Sequence, residues 1–284
     1  MGAIARYVMQ GPRQAMIVAV LTAALPLLYW VSAAVVSLVL LRHGLTKSLN
    51  ILLAALIPGL VWWVWQHEMM QLLVVLGAAG IGLILRLTVS LPAALISSVI
   101  LGCAVILLVP GFAPEWHAVL QKAAQEYLVQ LEQEPELKTL LADKILPALL
   151  GGVAAMVQLF ATGAVLLARH WQAALYNPGA YRAEFIALRM PAWYAVLALA
   201  ALLLASSNNT LLAFVPVVMA PLFIAGIALI HSGVQYKQLS GQWLLAFYIS
   251  LLFFLPYMYA LLILVAVADS FLNVRRWLED KANP

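Results

Sequence analysis

Apolar stretches follow one another along most of the chain, at 51–65, 72–85, 91–109, 145–168, 192–205, 211–230 and 243–268. Runs approaching 20 residues match the roughly 30 Å hydrocarbon core of a bilayer. None shows the strict alternation of a barrel strand, and Ala- and Leu-rich segments satisfy their backbone in lipid as helices. The pattern predicts an all-α fold, a polytopic membrane bundle of about 8–10 transmembrane helices with an amphipathic helical loop in the middle.

Two runs, 14–41 and 242–272, are too long for one ordinary crossing. A helix of about 29 residues is about 43 Å long. Pro26 and Pro256 lie near the middle of each run, where proline kinks or breaks a helix. Each run is therefore one tilted, kinked helix or a pair of short crossings.

Charge favours the pairs. The chain is 65% hydrophobic and 9% charged, with a formal net charge of +4 and a mean hydropathy of +1.02. Split at both prolines and started inside, the segments become 13–25, 27–41, 45–65, 69–86, 90–109, 145–168, 191–206, 210–231, 241–255 and 257–273. Arg6, Arg13, Arg42, Lys47, Arg86, Arg169, Arg182, Arg189, Lys237, Arg275, Arg276 and Lys281 then share the cytoplasmic side. Only Lys122, Lys138 and Lys144 fall outside, in a loop whose carboxylates leave it net −3. Unsplit runs would carry both basic termini outside, against the positive-inside rule. The expected topology is multi-pass with both termini cytoplasmic.

Arg6 and Arg13 before an apolar run resemble a signal peptide, but no small-residue cleavage site precedes a polar domain, so a first membrane segment is preferred. The lone Cys103 excludes an intrachain disulfide. The positive charge reflects inner loops, so lipid bilayer and not nucleic acid is the expected partner. Three regions result: N-terminal transmembrane helices at 1–111, an external amphipathic linker at 112–144, and C-terminal transmembrane helices at 145–284 with a cytoplasmic loop at 169–190.

In the linker, Trp116, Val119, Leu120, Ala123, Tyr127, Leu128 and Leu131 recur at helical spacing, opposite Gln121, Lys122, Gln125, Glu126 and Glu132. Glu134-Pro135 interrupts this helix. It reads as a surface linker between two bundles or as a lid over an external pocket. The inner loop reads as two short helical pieces joined by Asn177-Pro178-Gly179. Trp171, Leu175, Tyr181, Phe185 and Leu188 would lie on the membrane, with Arg169, Arg182 and Arg189 at phosphate headgroups. The alternative is a docking surface for a cytoplasmic partner.

The chemical inventory is thin. No phosphate-binding loop of the G-x-x-x-x-G-K-[ST] type and no G-x-S-x-G elbow occurs, and the five histidines are scattered. No catalytic residue, metal site or cofactor is expected, and an enzyme is the least supported class. Trp62, Trp63, Trp65, Gln66, His67 and Glu68 end one segment; Ser206, Ser207, Asn208 and Asn209 form a turn; Tyr257 and Tyr259 follow Pro256. The topology places all of these at the outer face. Trp62, Trp63, Gln66, Glu68, Asn208, Asn209, Tyr257 and Tyr259 are the candidate ligand-binding set, for a small, partly planar ligand. The competing reading is an interfacial aromatic belt.

Arg86 is expected to snorkel to the inner headgroups. Asp269, one to two turns from Arg275 and Arg276, is either a coupling carboxylate or a helix-end partner of an arginine. Gln158 reads as an interhelical hydrogen bond. Ala15-x-x-x-Ala19-x-x-x-Ala23 is a stripe of small residues fit for close helix packing, within the chain or with a partner subunit.

Arg42-His43-Gly44, Trp171 before Asn177-Pro178-Gly179, Glu184-Phe185 beyond, and Pro256 followed by the terminal Asp269-Ser270-Phe271-Leu272-Asn273-Val274-Arg275-Arg276 resemble the YybS-like family of predicted bacterial membrane proteins, a domain of unknown function. The resemblance spans nearly the whole chain and is most specific at the C-terminus. It implies a bacterial inner-membrane location. At its N-terminal helices the family is similar to the S components of energy-coupling-factor transporters and to the rod-shape protein MreD. In S components an alanine stripe on the first helix meets the coupling subunit, which Ala15, Ala19 and Ala23 match. The extra C-terminal half departs from six-helix S components.

Two functions follow as expectations. One is binding or movement of a small or lipid-like substrate with separate energising subunits. The other is a non-transporting scaffold that recruits envelope-assembly or regulatory proteins. Partner contacts are expected at Ala15, Ala19, Ala23, Trp171, Asn177, Pro178, Gly179, Glu184, Asp269, Arg275 and Arg276.

Overall fold

The computed structural model describes residues 2–277, and every regular element within them is helical. In chain order these are α1 (Gly2–Val8), α2 (Pro12–Ala24), α3 (Tyr29–His43), α4 (Leu45–Gln66), α5 (Met70–Thr88), α6 (Leu91–Phe112), α7 (Pro114–Gln130), α8 (Pro135–Leu141), α9 (Ile145–Tyr176), α10 (Ala180–Ile186), α11 (Ala192–Ser207), α12 (Phe214–Tyr236), α13 (Gln242–Phe253) and α14 (Leu255–Leu272). A 3-10 turn, Asn209–Ala213, leads into α12. The expected all-α bundle is therefore what the chain forms. Among the described residues six helices are long and apolar enough to cross a membrane: α4, α5, α6, α9, α12 with its 3-10 lead, and α14. The apolar helices α3, α11 and α13 are shorter.

Both long runs break beside their prolines. α2 stops at Ala24, the Leu28 N–H bonds back to the Leu25 carbonyl at 3.0 Å, and α3 starts at Tyr29. In the second run only Phe254 separates α13 from α14, and Pro256 lies in the first turn of α14, where its missing N–H leaves no helical bond unmade. The halves are short. α2 has 13 residues and α13 has 12, about 20 and 18 Å at the helical rise, against a core of roughly 30 Å.

Two helices form the centres of the bundle. Every residue from Ser32 to Leu41 of α3 is buried, and so is every residue from Val217 to Gly226 of α12. A helix buried on all sides needs no polar face. α3 is wrapped by α2, α4, α5 and α9, and α12 by α6, α9, α11 and α14. α9, with 32 residues, touches both centres and ties the two halves together. Its alanines make that approach close: Ala154, Ala161, Ala164 and Ala168 are fully buried.

Glycine sets two further crossings. A Cβ at Gly151 would lie 2.2 Å from the Ala213 carbonyl oxygen, and one at Gly226 would lie 2.3 Å from that of Leu262. Backbone meets backbone there, so a side chain would push the helices apart.

Four sequence expectations change. α1 is an unforeseen helix that buries Ala5 and Val8 against α9. α9 does not end at the membrane edge but continues unbroken through Trp171 to Tyr176, so only α10 remains a short helical piece. On α7 the inward stripe is Trp116, Leu120, Ala124 and Leu128, while Val119, Ala123 and Tyr127 face out. This four-residue repeat follows the line along which α7 lies on α6 and α9. In the inner loop Trp171 and Leu188 are buried inside the protein, not laid on a membrane, because α9 and α10 fold back on the bundle.

Candidate functional site

The outer candidate residues belong to three separate elements. Trp62 donates from Nε1 to the Ala24 carbonyl at 3.3 Å, pinning the end of α4 to the end of α2. Glu68 accepts the Met70 N–H at 3.2 Å, and His67, at φ 57°, lies 3.9 Å from Glu115 across to α7. Trp63 is half-buried; Trp65 and Gln66 are exposed. Asn208 accepts the Thr210 N–H at 2.9 Å, and Asn209 opens the 3-10 turn. Tyr259 donates to the Pro216 carbonyl at 3.1 Å and packs on Phe223, while Tyr257 stands exposed. Their hydrogen bonds thus draw these groups to different neighbours.

The opposite end holds the denser polar structure. There the C-termini of α3, α5 and α9 meet, and each carries unpaired carbonyls and a partial negative charge. Arg86 turns inward and donates from Nη1 to the Leu40 carbonyl, at 3.2 Å, and to that of Leu41. It caps α3 and does not snorkel. Gly44, at φ 87°, makes the sharp exit from α3, and a Cβ there would lie 3.4 Å from the Arg86 guanidinium. Arg169 holds Glu184 with two hydrogen bonds, through Nε at 2.9 Å and through Nη2. Its Nη1 reaches Gln172, which donates to Leu41. Arg42 stacks over the Tyr176 ring at 4.0 Å. Arg42, Arg86, Arg169 and Glu184 line a cavity of about 480 Å³. Its cations are mostly engaged already, by carbonyls, a carboxylate and a ring.

A second knot closes the C-terminal half. Arg189 donates to the Asp269 and Ser270 carbonyls at 2.8 and 2.7 Å, capping α14 as Arg86 caps α3. Arg275 donates to the Asp269 carboxylate at 2.9 Å, to the Ile186 carbonyl and to the Ala225 carbonyl at 3.2 Å. Both members of this ion pair are buried. Burial lowers the Arg275 guanidinium from its ordinary value and Asp269 opposes that shift. Arginine stays protonated through such shifts. Beside it, Tyr181 and Phe185 stack with each other and, with His170, His231 and Tyr248, form a chain of ring contacts between α9, α12 and α13. Burial, then Tyr248 and Glu184, push the Tyr181 phenol up.

Among the expected partner contacts, Ala15, Ala19 and Ala23 are buried where α2 lies on α3 and α4. The alanine stripe therefore packs internally and presents no face to another subunit. Trp171, Asp269 and Arg275 are likewise buried, and Glu184 pairs with Arg169. Asn177, Pro178, Gly179 and Arg276 are exposed. Gln158 makes the interhelical bond expected of it, donating to Ser98 at 2.8 Å.

One open site was not anticipated from the sequence. A cavity of about 570 Å³ lies between the α1–α2 elbow and the α3–α4 turn. Val8, Ala15, Val39 and Ile51 form an apolar, buried floor. His43, Thr46, Lys47 and Asn50 form the rim, and among the described residues their side chains make no hydrogen bond or ion pair. Thr46 and Asn50 are four apart and so share one face of α4, a signal the sequence did contain.

The fold and site together define a multi-pass, all-α membrane bundle with arginine-capped helix ends and a polar-rimmed cavity at the same end. No family model matches the chain, and no curated protein or solved structure is detectably similar to it.

Proposed function

We propose that this chain is a bacterial inner-membrane protein of the YybS-like kind, with both termini cytoplasmic, that binds and helps move a small or lipid-like substrate. The observation that carries this reading is the cavity between the α1–α2 elbow and the α3–α4 turn, with unpartnered Lys47, Asn50, Thr46 and His43 above an apolar floor. Concave sites with mostly apolar walls and a few convergent polar groups are how proteins hold small ligands. The arginine cavity is a weaker candidate, since its cations already have partners. In this reading energising subunits are separate, as in transporters built around an S component. Their contact surface is not the alanine stripe.

Filling the cavity tests the proposal. Thr46 and Asn50 are exposed, so Thr46→Trp and Asn50→Trp should leave the fold intact. Native mass spectrometry of the purified chain should find a co-purified small molecule or lipid that both variants lose and Asn177→Trp retains. Retention by the filled variants, or an unliganded parent chain, would sink the proposal.

A scaffold of the MreD kind is the second reading. It is favoured by α13, in which no residue is buried and Trp243, Leu252 and Phe253 face outward. Photo-crosslinking from Leu252 to one defined membrane protein, with the filled variants fully functional in cells, would select it.

A further inference from the structure

We infer that the substrate of the α1–α2/α3–α4 cavity carries a phosphate, or an anionic head of equivalent geometry, on a short apolar body. This rests on the reading of that cavity as the substrate site and adds the chemical class.

The rim carries one unneutralised cation. Lys47 stands beside the neutral groups of His43, Thr46 and Asn50, and among the described residues no carboxylate lines the cavity. Lys47 makes no ion pair among the described residues, unlike Arg169 with Glu184 or Arg275 with Asp269. An ammonium facing a bound neutral or cationic head would lose water without gaining a partner. An anionic head supplies one and adds charge-assisted hydrogen bonds.

The backbone adds the same sign. α2 and α4 both begin at this cavity, from Gly11 and Gly44, and neither has a side-chain cap on its first N–H groups. Partial positive charge at two helix starts supports an anion already held by side chains. The competing negative end, the C-terminus of α3, is closed from its other side by Arg86. The arginine therefore has a consequence for the neighbouring cavity as well as for the helix it caps. Below the rim, Val8, Val39 and Ile51 would cover the apolar part of the ligand.

Phosphate chemistry reaches this site from a lipid headgroup or from a soluble phosphomonoester, and the experiment separates them. The full chain is placed in nanodiscs of phosphatidylcholine alone or with phosphatidic acid, and thermal stability is followed with and without butyl phosphate or butanol. Stabilisation by butyl phosphate in the phosphatidylcholine discs assigns the soluble source. Stabilisation in the phosphatidic acid discs alone assigns the lipid. In either case Lys47→Ala should weaken binding by about tenfold, the loss of one charge-assisted contact, and Lys47→Arg should restore most of it. Equal effects of butanol and butyl phosphate without any effect of phosphatidic acid, or binding indifferent to Lys47→Ala, would overturn the anionic class. Should the cavity-filling variants lose a native adduct that proves uncharged, the substrate site stands and the anionic class fails. Should they keep their adduct, the site itself falls.

Discussion

The Arg275 guanidinium joins α14, the end of α10 and the middle of α12 through Asp269, Ile186 and Ala225. Removing one member of a buried pair strands the other, which costs about 3–5 kcal/mol. Among the described residues Asp269 Oδ1 is buried without a partner, and Arg275 is the one cation paired with its carboxylate. Arg275→Ala should therefore lower the thermal stability of the detergent-solubilised chain by that order, whereas Arg276→Ala, at an exposed position, should change it little. Equal losses in the two variants would refute the buried-pair account. The pairing of Asp269 with a nearby arginine was legible from spacing. Its burial was not, because an arginine at a helix end ordinarily extends to headgroups, and only the carbonyls of Ile186 and Ala225 draw this one inward.

Helix boundaries were legible wherever proline or glycine marks them: beside Pro26, at Glu134-Pro135, at Asn177-Pro178-Gly179 and beside Pro256. Local backbone chemistry decides those breaks, so neighbours in sequence suffice to find them. The elements misread are those that packing decides. α1 is too short to announce itself, and the true inner stripe of α7 depends on its line across α6 and α9. Helix approach is equally a tertiary matter. Gly226→Ala should force α12 from α14 and destabilise by about 1–3 kcal/mol. Gly233→Ala, in the same helix with open space at its Cβ, should be neutral or gain up to about 1 kcal/mol. Thermal unfolding of the two variants side by side checks this; a Gly226→Ala as stable as the parent would remove the close crossing as a constraint.

At the scale of the whole molecule, the proposed orientation follows from the distribution of arginine and lysine and is tested by labelling. In a Cys103→Ala background, cysteines at Tyr7 and Asn177 should react with a membrane-impermeant maleimide only after the inner face is opened. Cysteines at Leu27 and Glu134 should react from outside. Labelling of Tyr7→Cys from outside would make the first long run a single crossing and leave nine segments.

By itself the sequence determined the material and its broad arrangement: helices, a membrane, the breaks between elements and the gathering of basic residues in one set of loops. These follow from apolar run length, proline and charge, which act locally or along one axis. Apart from the Gln158 bond and the Asp269 pairing, the tertiary structure decided what the polar residues do. α3, α5 and α9 bring their C-termini together, and that convergence gives Arg86 its carbonyls and Arg42 its ring, while α10 folding back on α9 gives Arg169 its carboxylate. The same folding brings Val8, Val39 and Lys47 around one cavity. Partners so far apart in sequence share no local pattern, so no reading along the chain could pair them.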